Sequence, residues 1–331
     1  MPLIHAQVKA MLLAMLTRLQ CAFCAGFGLL LTACEPVRQN QAQRKMPQRN
    51  SFGQPIELGM NRIGPIGQAP LSRPPAVFAE SAIVVDINQG RILYAKNIDQ
   101  KRAVASTQKI ITALCVLDAG NLKKKVHIVA SDSHCEPTKL GIKAGEVYTR
   151  KQLLEVLMVK SANDVARALA RDVAGSQAAF CKKMNQKCAQ LGMRNSHFKN
   201  PHGLTEAGQY STARDIAIAA IAAYRSRTIR EMIRMEEITF RFNSGRTQTL
   251  SNTNKVLKTL PYCNGMKTGT TRASGRCLVA TGSLRGRDMV TIVLKSNSKH
   301  VWEDSMKLMR WSLERPLVGS TQNNALSSSR S

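Results

Sequence analysis

Acidic residues, glycine, proline and long apolar runs are all scarce in this sequence. The 21 glycines and 12 prolines among 331 residues are too few for a collagenous or low-complexity chain. With 44% hydrophobic and 21% charged residues, the composition indicates a globular protein of one or two domains rather than a disordered or many-pass membrane protein. Only 21 Asp and Glu oppose 48 Lys and Arg, giving a net charge of +27. This charge suits a nucleic-acid binder, a membrane-surface protein or an enzyme acting on an anionic polymer.

Motifs that would assign a cofactor or a nucleic acid are also missing. The six histidines show no His-Glu-x-x-His arrangement, so no metal and no other cofactor is expected, and each histidine is predicted to be a surface or loop residue. No RNA- or DNA-recognition motif accompanies the basic residues, so no nucleic-acid partner is expected. The basic excess is interpreted as attraction to an anionic cell wall or membrane, with generic solubility or an adaptation of the source proteome as the alternatives.

Residues 1–34 have the layout of a signal peptide. They contain no acid and two strong bases, Lys9 and Arg18, before an apolar stretch from 21 to 31 that is shorter than the roughly 20 residues of a membrane span. The segment ends in Leu-Thr-Ala-Cys34, which resembles the lipobox of bacterial lipoproteins. We therefore predict a lipid on Cys34 and an exported, membrane-anchored protein facing the periplasm or cell wall. An ordinary secretory signal and an uncleaved core segment are the alternatives.

The composition changes along the chain predict four segments. After the signal peptide, residues 35–75 are rich in Pro and Gln without sustained periodicity, which predicts a disordered tether. Residues 76–316 have a globular pattern, and the polar, Ser-rich residues 317–331 are predicted to form a disordered tail.

Hydrophobic patterning in residues 76–316 predicts an α+β domain with strands at both ends and helices between them. Apolar runs on both sides of Asn88-Gln89-Gly90 predict a β-hairpin. The first and last strands must meet in one sheet if their apolar faces are to be covered. The predicted helices cover 106–117, 150–160, 163–173, 177–191, 212–224 and 301–313, and the later predicted strands cover 238–242, 265–270, 277–281 and 289–294.

Three short motifs in this domain carry reactive side chains. Ser-x-x-Lys occurs at 106–109, 196–199 and 296–299, so this spacing alone proves nothing. Only Ser106 opens a predicted buried helix, where the positive end of the helix dipole lies, and Lys109 follows one turn later on the same face. A serine that merely caps this helix is the alternative.

The other two motifs each occur once and complete a known set. Ser161-Ala162-Asn163 is the only Ser-x-Asn, and Lys267-Thr268-Gly269 is the only Lys-Thr-Gly. In this order the three motifs resemble the active-site set of penicillin-binding proteins and serine β-lactamases. Over about residues 78–314, the sequence resembles the low-molecular-mass D-alanyl-D-alanine carboxypeptidases. The matching segments are 105–109, 161–164, 200–204, 210–215 and 264–269. Two positions depart from the family pattern, with Ala162 where Gly is usual and Gln108 where a small polar residue is common.

The resemblance implies a fold and a set of catalytic roles. The fold is an antiparallel sheet with flanking helices and an inserted all-helical region. Ser106 is the implied nucleophile, and Lys109 is its base once burial and the Lys267 cation lower the lysine pKa. Ser161 passes a proton towards the leaving amine, and Asn163 holds the peptide or the lysine.

The same resemblance implies how the substrate is held. The backbone N–H groups of Ser106 and Thr270 form the oxyanion hole. Lys267 and Thr268 receive the terminal carboxylate of the substrate, while the peptide pairs as an added strand along the edge that continues through Gly269 and Thr270.

These roles predict a serine-type D-Ala-D-Ala carboxypeptidase acting on peptidoglycan stem peptides through an acyl-enzyme. Expected partners are stem peptides ending in D-Ala-D-Ala, β-lactam inhibitors and, through the lipid anchor, a membrane. A β-lactamase is an alternative, although the Glu-x-x-Leu-Asn segment of class A enzymes is missing. A DD-endopeptidase and a catalytically idle, cationic wall-binding lipoprotein are the others.

Six cysteines lie in the domain, an even number that permits disulfides in an exported protein. Cys115 lies among apolar residues, which favours a buried thiol. The sequence predicts no particular pairing.

Overall fold

The computed structural model of the protein describes residues 73–135 and 137–314. Cys34, the predicted signal peptide, the tether up to residue 72 and the predicted tail lie outside the described residues. Within this part of the chain, every helix is too short or too polar to cross a bilayer.

Nine strands and nine helices form the described part of the chain. In order they are β1 (Ser81–Asp86), β2 (Arg91–Lys96), α1 (Lys109–Asp118), β3 (Lys125–His127), α2 (Ala130–Ser133), β4 (Val147–Thr149), α3 (Arg150–Val159), α4 (Asn163–Ala174), α5 (Gln177–Leu191), α6 (Ala213–Tyr224), α7 (Arg227–Ile233), β5 (Glu237–Arg241), β6 (Thr247–Ser251), α8 (Val256–Thr259), β7 (Cys263–Thr271), β8 (Gly275–Leu284), β9 (Arg287–Ser296) and α9 (His300–Glu314).

A five-stranded antiparallel sheet has the order β2-β1-β9-β8-β7. The predicted hairpin forms β1 and β2, and β1 pairs with β9 from Ser81 opposite Leu294 to Asp86 opposite Met289. The prediction that the first and last strands share a sheet is therefore confirmed. The order leaves β7 at one edge of this sheet.

Helices cover both faces of the sheet. Alternate residues of β1 face different cores: Ile83 and Val85 pack in the core shared with α1 and the other central helices, whereas Val84 packs on the opposite side with α9. The α1 helix has buried residues along nearly its whole length and contacts α3, α4, α5 and α6. Sequence patterning predicted this all-round burial, and the α+β fold with an antiparallel sheet and flanking helices is confirmed. The inserted region is mainly helical but not all-helical as predicted, because the two-stranded sheets β3-β4 and β5-β6 lie within it.

The elements that sequence patterning missed are all short. They are β3 and β4, β6, α2, α7 and α8, of three to seven residues each. Periodicity needs more residues than this to separate a helix from a strand, so tertiary contacts decide these segments. The predicted helix 106–117 also differs, because it begins as a 3-10 turn at Ala105–Gln108 before α1.

No disulfide joins the six cysteines of the described residues. Cys115 is buried, as expected for a thiol, and burial raises its pKa to about 12.

Candidate active site

Ser106 lies in the 3-10 turn that precedes α1, and Lys109 is the first residue of that helix. The N-cap residue of α1 is Gln108, so the interpretation of Ser106 as a simple helix cap is wrong. Ala105, beside the serine, has a φ of +50°, a left-handed conformation that costs free energy in an L residue. Strain of this kind is concentrated at functional sites, where surrounding contacts maintain it.

The edge strand β7 packs directly against this turn. A Cβ added at Gly269 would lie 2.8 Å from the Ser106 backbone nitrogen and 3.0 Å from that of Thr107. Only glycine permits so close an approach of two backbones. The Lys-Thr-Gly motif is thereby brought against the Ser-x-x-Lys motif, although more than 150 residues separate them in the chain.

Lys109 is fully buried, and its Nζ atom has three close oxygen neighbours. It lies 2.7 Å from Ser106 Oγ, 2.7 Å from Asn163 Oδ1 and 2.5 Å from the backbone oxygen of His202. A neutral amine has two N–H donors and one lone pair. It can donate to the amide and carbonyl oxygens, which only accept, and take a hydrogen bond from the serine hydroxyl.

The electrostatic environment favours this neutral form. Burial, and secondly the charge of Lys267, lower the pKa of Lys109 well below its usual value. Both causes match those expected from the sequence. Lys267 is itself fully buried, its Nζ donates to the Thr268 carbonyl oxygen at 3.3 Å, and burial lowers its pKa to about 7.

Asn163 is held so that its carbonyl oxygen faces Lys109. Its Nδ2 group donates to the Pro137 carbonyl oxygen at 2.6 Å, and its backbone N–H donates to that of Thr138 at 2.9 Å. The next residue, Asp164, accepts backbone N–H groups from Leu140 and Gly141. The amino end of α4 therefore fixes both the amide and the loop containing Thr138.

Ser161 lines the same cavity but, among the described residues, forms no hydrogen bond with the lysine. It is buried, and its φ of +67° makes it the second residue beside the site, after Ala105, with a left-handed backbone conformation. Among the described residues, no hydrogen bond joins its hydroxyl to Lys109 or Ser106, whose side chains pair with each other. The proton relay that the resemblance implies for Ser161 is thus not preformed in this structure.

The loop 200–204 supplies contacts that sequence reasoning did not assign. The His202 carbonyl oxygen accepts from Lys109, and Ser106 Oγ lies 3.2 Å from it. Asn200 Oδ1 accepts the Gly203 N–H at 2.7 Å, and Gln108 Nε2 donates to the Asn200 carbonyl oxygen. His202 is a loop residue as predicted, but it is buried, and burial followed by the Lys109 charge lowers its pKa to about 3. The only signal in the sequence was the resemblance of this segment to the family pattern.

A cavity of about 390 Å³ lies between these elements, and Ser106, Ser161, Thr268, Gly269 and Thr270 line it together. The structure thus brings together residues of all three motifs, with Lys109, Asn163 and Lys267 buried behind them. Among the described residues the lining contains no acid, and it includes two exposed cations missed in the sequence, Lys255 and Arg276.

Contacts along the cavity wall hold the strand residues in place. Arg276 Nη1 donates to Thr270 Oγ1 at 3.1 Å, and Thr268 Oγ1 donates to Thr253 Oγ1 at 2.7 Å. The cavity therefore offers hydroxyl groups and two cations, which suit a substrate with a carboxylate.

A buried lysine paired with a serine beside the edge strand of an antiparallel sheet defines a serine enzyme of the penicillin-binding class. The sequence matches the family described as D-alanyl-D-alanine carboxypeptidase over residues 68–298. The chain belongs to this family of serine hydrolases.

Known relatives agree with this assignment. The D-alanyl-D-alanine carboxypeptidase DacF of Bacillus subtilis is 34% identical over 66% of this chain, and the match spans 58% of DacF. A D-alanyl-D-alanine endopeptidase of Escherichia coli is 30% identical over 72% of this chain and 78% of its own length. The crystal structure of a Streptomyces DD-transpeptidase superposes with a TM-score of 0.70 at 29% identity, covering 73% of this chain and 99% of that one.

Gly203 provides a test of how the loop 200–204 positions the nucleophile. Its φ is +93°, and an added Cβ would lie 2.2 Å from the Ala105 carbonyl oxygen and 2.8 Å from the Ser106 nitrogen. We expect Gly203→Ala to displace the turn and to slow covalent labelling by fluorescent penicillin about 100-fold, since misplacement by about 1 Å has this effect.

Gly175→Ala is the matched control. Its φ of +78° is similarly strained for alanine, but an added Cβ there meets nothing within 4 Å. Both variants should lose about 1 kcal/mol of unfolding free energy in urea from backbone strain alone. Equal labelling rates in the two variants would contradict the positioning role of the loop.

Proposed function

We propose that this chain removes the terminal D-alanine from peptidoglycan stem peptides through an acyl-enzyme on Ser106. The observation that carries the proposal is the 2.7 Å contact between Ser106 Oγ and the buried Nζ of Lys109, whose pKa is lowered well below its usual value. A neutral amine at this distance accepts the hydroxyl proton as the oxygen attacks.

The reaction follows from the donors and acceptors around this pair. Ser106 Oγ bonds to the scissile carbonyl carbon, Lys109 takes its proton, and the N–H groups of Ser106 and Thr270 stabilise the oxyanion. The amide bond then breaks as a proton reaches the leaving amine of D-alanine, with Ser161 as the proposed relay. A water molecule attacks the resulting ester, and Lys109 again takes the proton. The ester bond then breaks, the proton passes from Lys109 to Ser106 Oγ, and the shortened peptide leaves as a carboxylic acid.

Recognition of the peptide rests on the edge strand. β7 is at the end of the sheet order, and no described strand pairs with its outer edge, which suits an added strand. Lys267 and Thr268 receive the terminal carboxylate. The close approach of the Gly269 backbone to Ser106 keeps both residues next to the nucleophile. The enzyme should therefore require a substrate with a free carboxyl end, because the substrate carboxylate compensates the charge of the buried Lys267.

β-Lactams acylate the same serine in this proposal. Class A β-lactamases speed the release of that acyl group with an additional glutamate base in a Glu-x-x-Leu-Asn segment, which is missing here. A long-lived penicilloyl-enzyme distinguishes the proposed carboxypeptidase from a β-lactamase, which would hydrolyse nitrocefin rapidly.

We also propose that a lipid on Cys34 holds the enzyme at a membrane, facing the periplasm or cell wall. The support is the lipobox-like segment and the basic composition, with a net charge of +27 that favours anionic wall or lipid surfaces.

Ser106→Ala is expected to abolish labelling by fluorescent penicillin and to lower D-alanine release from a tripeptide ending in D-Ala-D-Ala by on the order of 10⁴-fold or more. The matched control is Ser296→Ala, in another Ser-x-x-Lys motif, whose buried hydroxyl has no hydrogen-bond partner among the described residues. Labelling that survives in Ser106→Ala would refute the nucleophile.

The pH profile of kcat/KM should report the protonation states of Lys109 and Lys267. Protonation of Lys109 removes the base and lowers the acidic side of the profile. The pKa of Lys267 is about 7, so its charge is present below that pH and is lost as pH rises through it, together with carboxylate binding. We expect Lys267→Arg to shift the alkaline fall upwards by more than about one pH unit, because arginine stays charged. An alkaline limb that stays at its wild-type position in this variant would exclude Lys267 as its origin.

Radiolabelled palmitate should enter the wild-type protein in a bacterial host but not Cys34→Ser, because the Cys34 thiol is the proposed acceptor. Cys24→Ser, in the same segment, is the control and should be labelled normally. Equal incorporation into Cys34→Ser and wild type would rule out the anchor.

A further inference from the structure

Gln108 lies between the nucleophile and its base in the chain and departs from the small polar residue common at this position. It is fully buried and lies outside the lining of the catalytic cavity. Its Nε2 group donates to the Asn200 carbonyl oxygen at 2.6 Å and has a longer contact of 3.3 Å with Asn200 Oδ1. The Gln108 amide thus ties the turn containing Ser106 to the loop 200–204.

The beginning of α1 donates to three successive carbonyl oxygens of this loop. The donor and acceptor pairs are Gln108 with Asn200, Thr112 with Pro201 and Lys109 with His202, at 2.6, 2.7 and 2.5 Å. The proline between the outer two acceptors has a fixed φ, which removes one backbone dihedral from the segment that joins them. A helix residue that holds the first carbonyl therefore restricts where the third one lies.

The third carbonyl, that of His202, contacts both reacting groups. Its oxygen lies 2.5 Å from Lys109 Nζ and 3.2 Å from Ser106 Oγ. Because this oxygen only accepts, it takes one N–H of the neutral amine and helps to orient the lone pair of that amine towards the serine. Displacement of the His202 carbonyl would release this orientation.

Two other amides brace the loop within itself. Gln209 Oε1 accepts the backbone N–H groups of Lys199 and Asn200 at 2.9 and 3.2 Å, and Gln209 Nε2 donates to the Leu204 carbonyl oxygen at 3.0 Å. The Asn200 side chain accepts the Gly203 N–H at 2.7 Å and donates to the same Leu204 oxygen at 3.0 Å. The loop therefore moves as a unit, and its contacts with α1 decide where that unit lies.

The other end of the Gln108 amide is unfavourable for stability. Its Oε1 atom is buried without a hydrogen-bond partner among the described residues. A buried acceptor without a partner destabilises the folded state. An apolar side chain of similar length would remove this oxygen and leave the Asn200 carbonyl oxygen unpaired instead. The amide therefore contributes little net stability, and its benefit lies in where it holds the loop.

We propose that Gln108 is a positioning residue for the acylation step. By holding the Asn200 carbonyl, its amide keeps the His202 carbonyl oxygen against the Lys109 amine. The inference rests on the proposed carboxypeptidase function. In the step concerned, Ser106 Oγ bonds to the acyl carbon while its proton passes to Lys109. With a β-lactam, the ring amide bond then breaks and its nitrogen takes a proton.

The test variant is Gln108→Met, because methionine is unbranched, similar in length to glutamine and without an N–H donor. We expect fluorescent penicillin to label it about tenfold more slowly, and kcat for D-alanine release to fall similarly, with KM within about twofold. The final labelled fraction should equal that of wild type, and the urea midpoint should shift by less than about 0.5 M. A merely structural role would instead lower the labelled fraction and the midpoint, which would overturn the inference.

Gln108→Leu separates the hydrogen bond from packing. Leucine also lacks a donor but has a branched shape, so this variant should be labelled as slowly as Gln108→Met. Slow labelling of Gln108→Leu together with a wild-type rate for Gln108→Met would assign the effect to packing and exclude the positioning role.

The matched control is Asn185→Leu on α5. Asn185 donates to the Phe198 carbonyl oxygen at 2.9 Å and accepts the Phe198 N–H at 2.8 Å, just before the loop. Its loss should lower the urea midpoint but leave the labelling rate within about twofold of wild type. Equal slowing of Asn185→Leu and Gln108→Met would show a general loosening and contradict the inference. Failure of the wild type to be labelled or to release D-alanine would refute the proposed function itself.

Discussion

The whole site depends on keeping one lysine amine uncharged inside the protein. Lys109 is surrounded by the oxygens of Ser106, Asn163 and His202, which match the two donors and one lone pair of a neutral amine. An ammonium group in the same place would have no counter-ion within hydrogen-bond reach among the described residues, and it would lie close to the buried cation Lys267. The α1 helix is buried on most sides and provides the low-dielectric surroundings that keep the Lys109 amine neutral.

Glycine and left-handed residues explain how the surrounding segments come so close. Gly203 and Gly269 allow two backbones to press against the turn containing Ser106, while Ala105 and Ser161 adopt strained conformations at its margins. The free energy stored in these residues is offset by the extensive core on both faces of the sheet. Rigidity at the nucleophile is thus a property of the fold rather than of any single hydrogen bond.

The sequence was most informative where its patterns were long or chemically unusual. The period of α5 predicted Gln177–Leu191 to the residue, and the rare Lys-Thr-Gly and Ser-x-Asn motifs predicted which distant segments meet at Ser106. The His202 carbonyl was not predictable, since a backbone oxygen has no residue type to recognise. Arg276 and Lys255 were hidden for another reason: an ordinary surface cation becomes part of a cavity only through long-range packing.

The position of β7 at the end of the sheet has a consequence for solubility. An edge strand that can pair with a bound peptide can also pair with the same strand of another molecule. Exposed cations lie near both of its ends, with Lys258 and Arg234 beside its start and Arg276 beside its finish. Two such edges meeting in either orientation would bring positive groups together, so the charges that suit an anionic wall also oppose self-association of the enzyme.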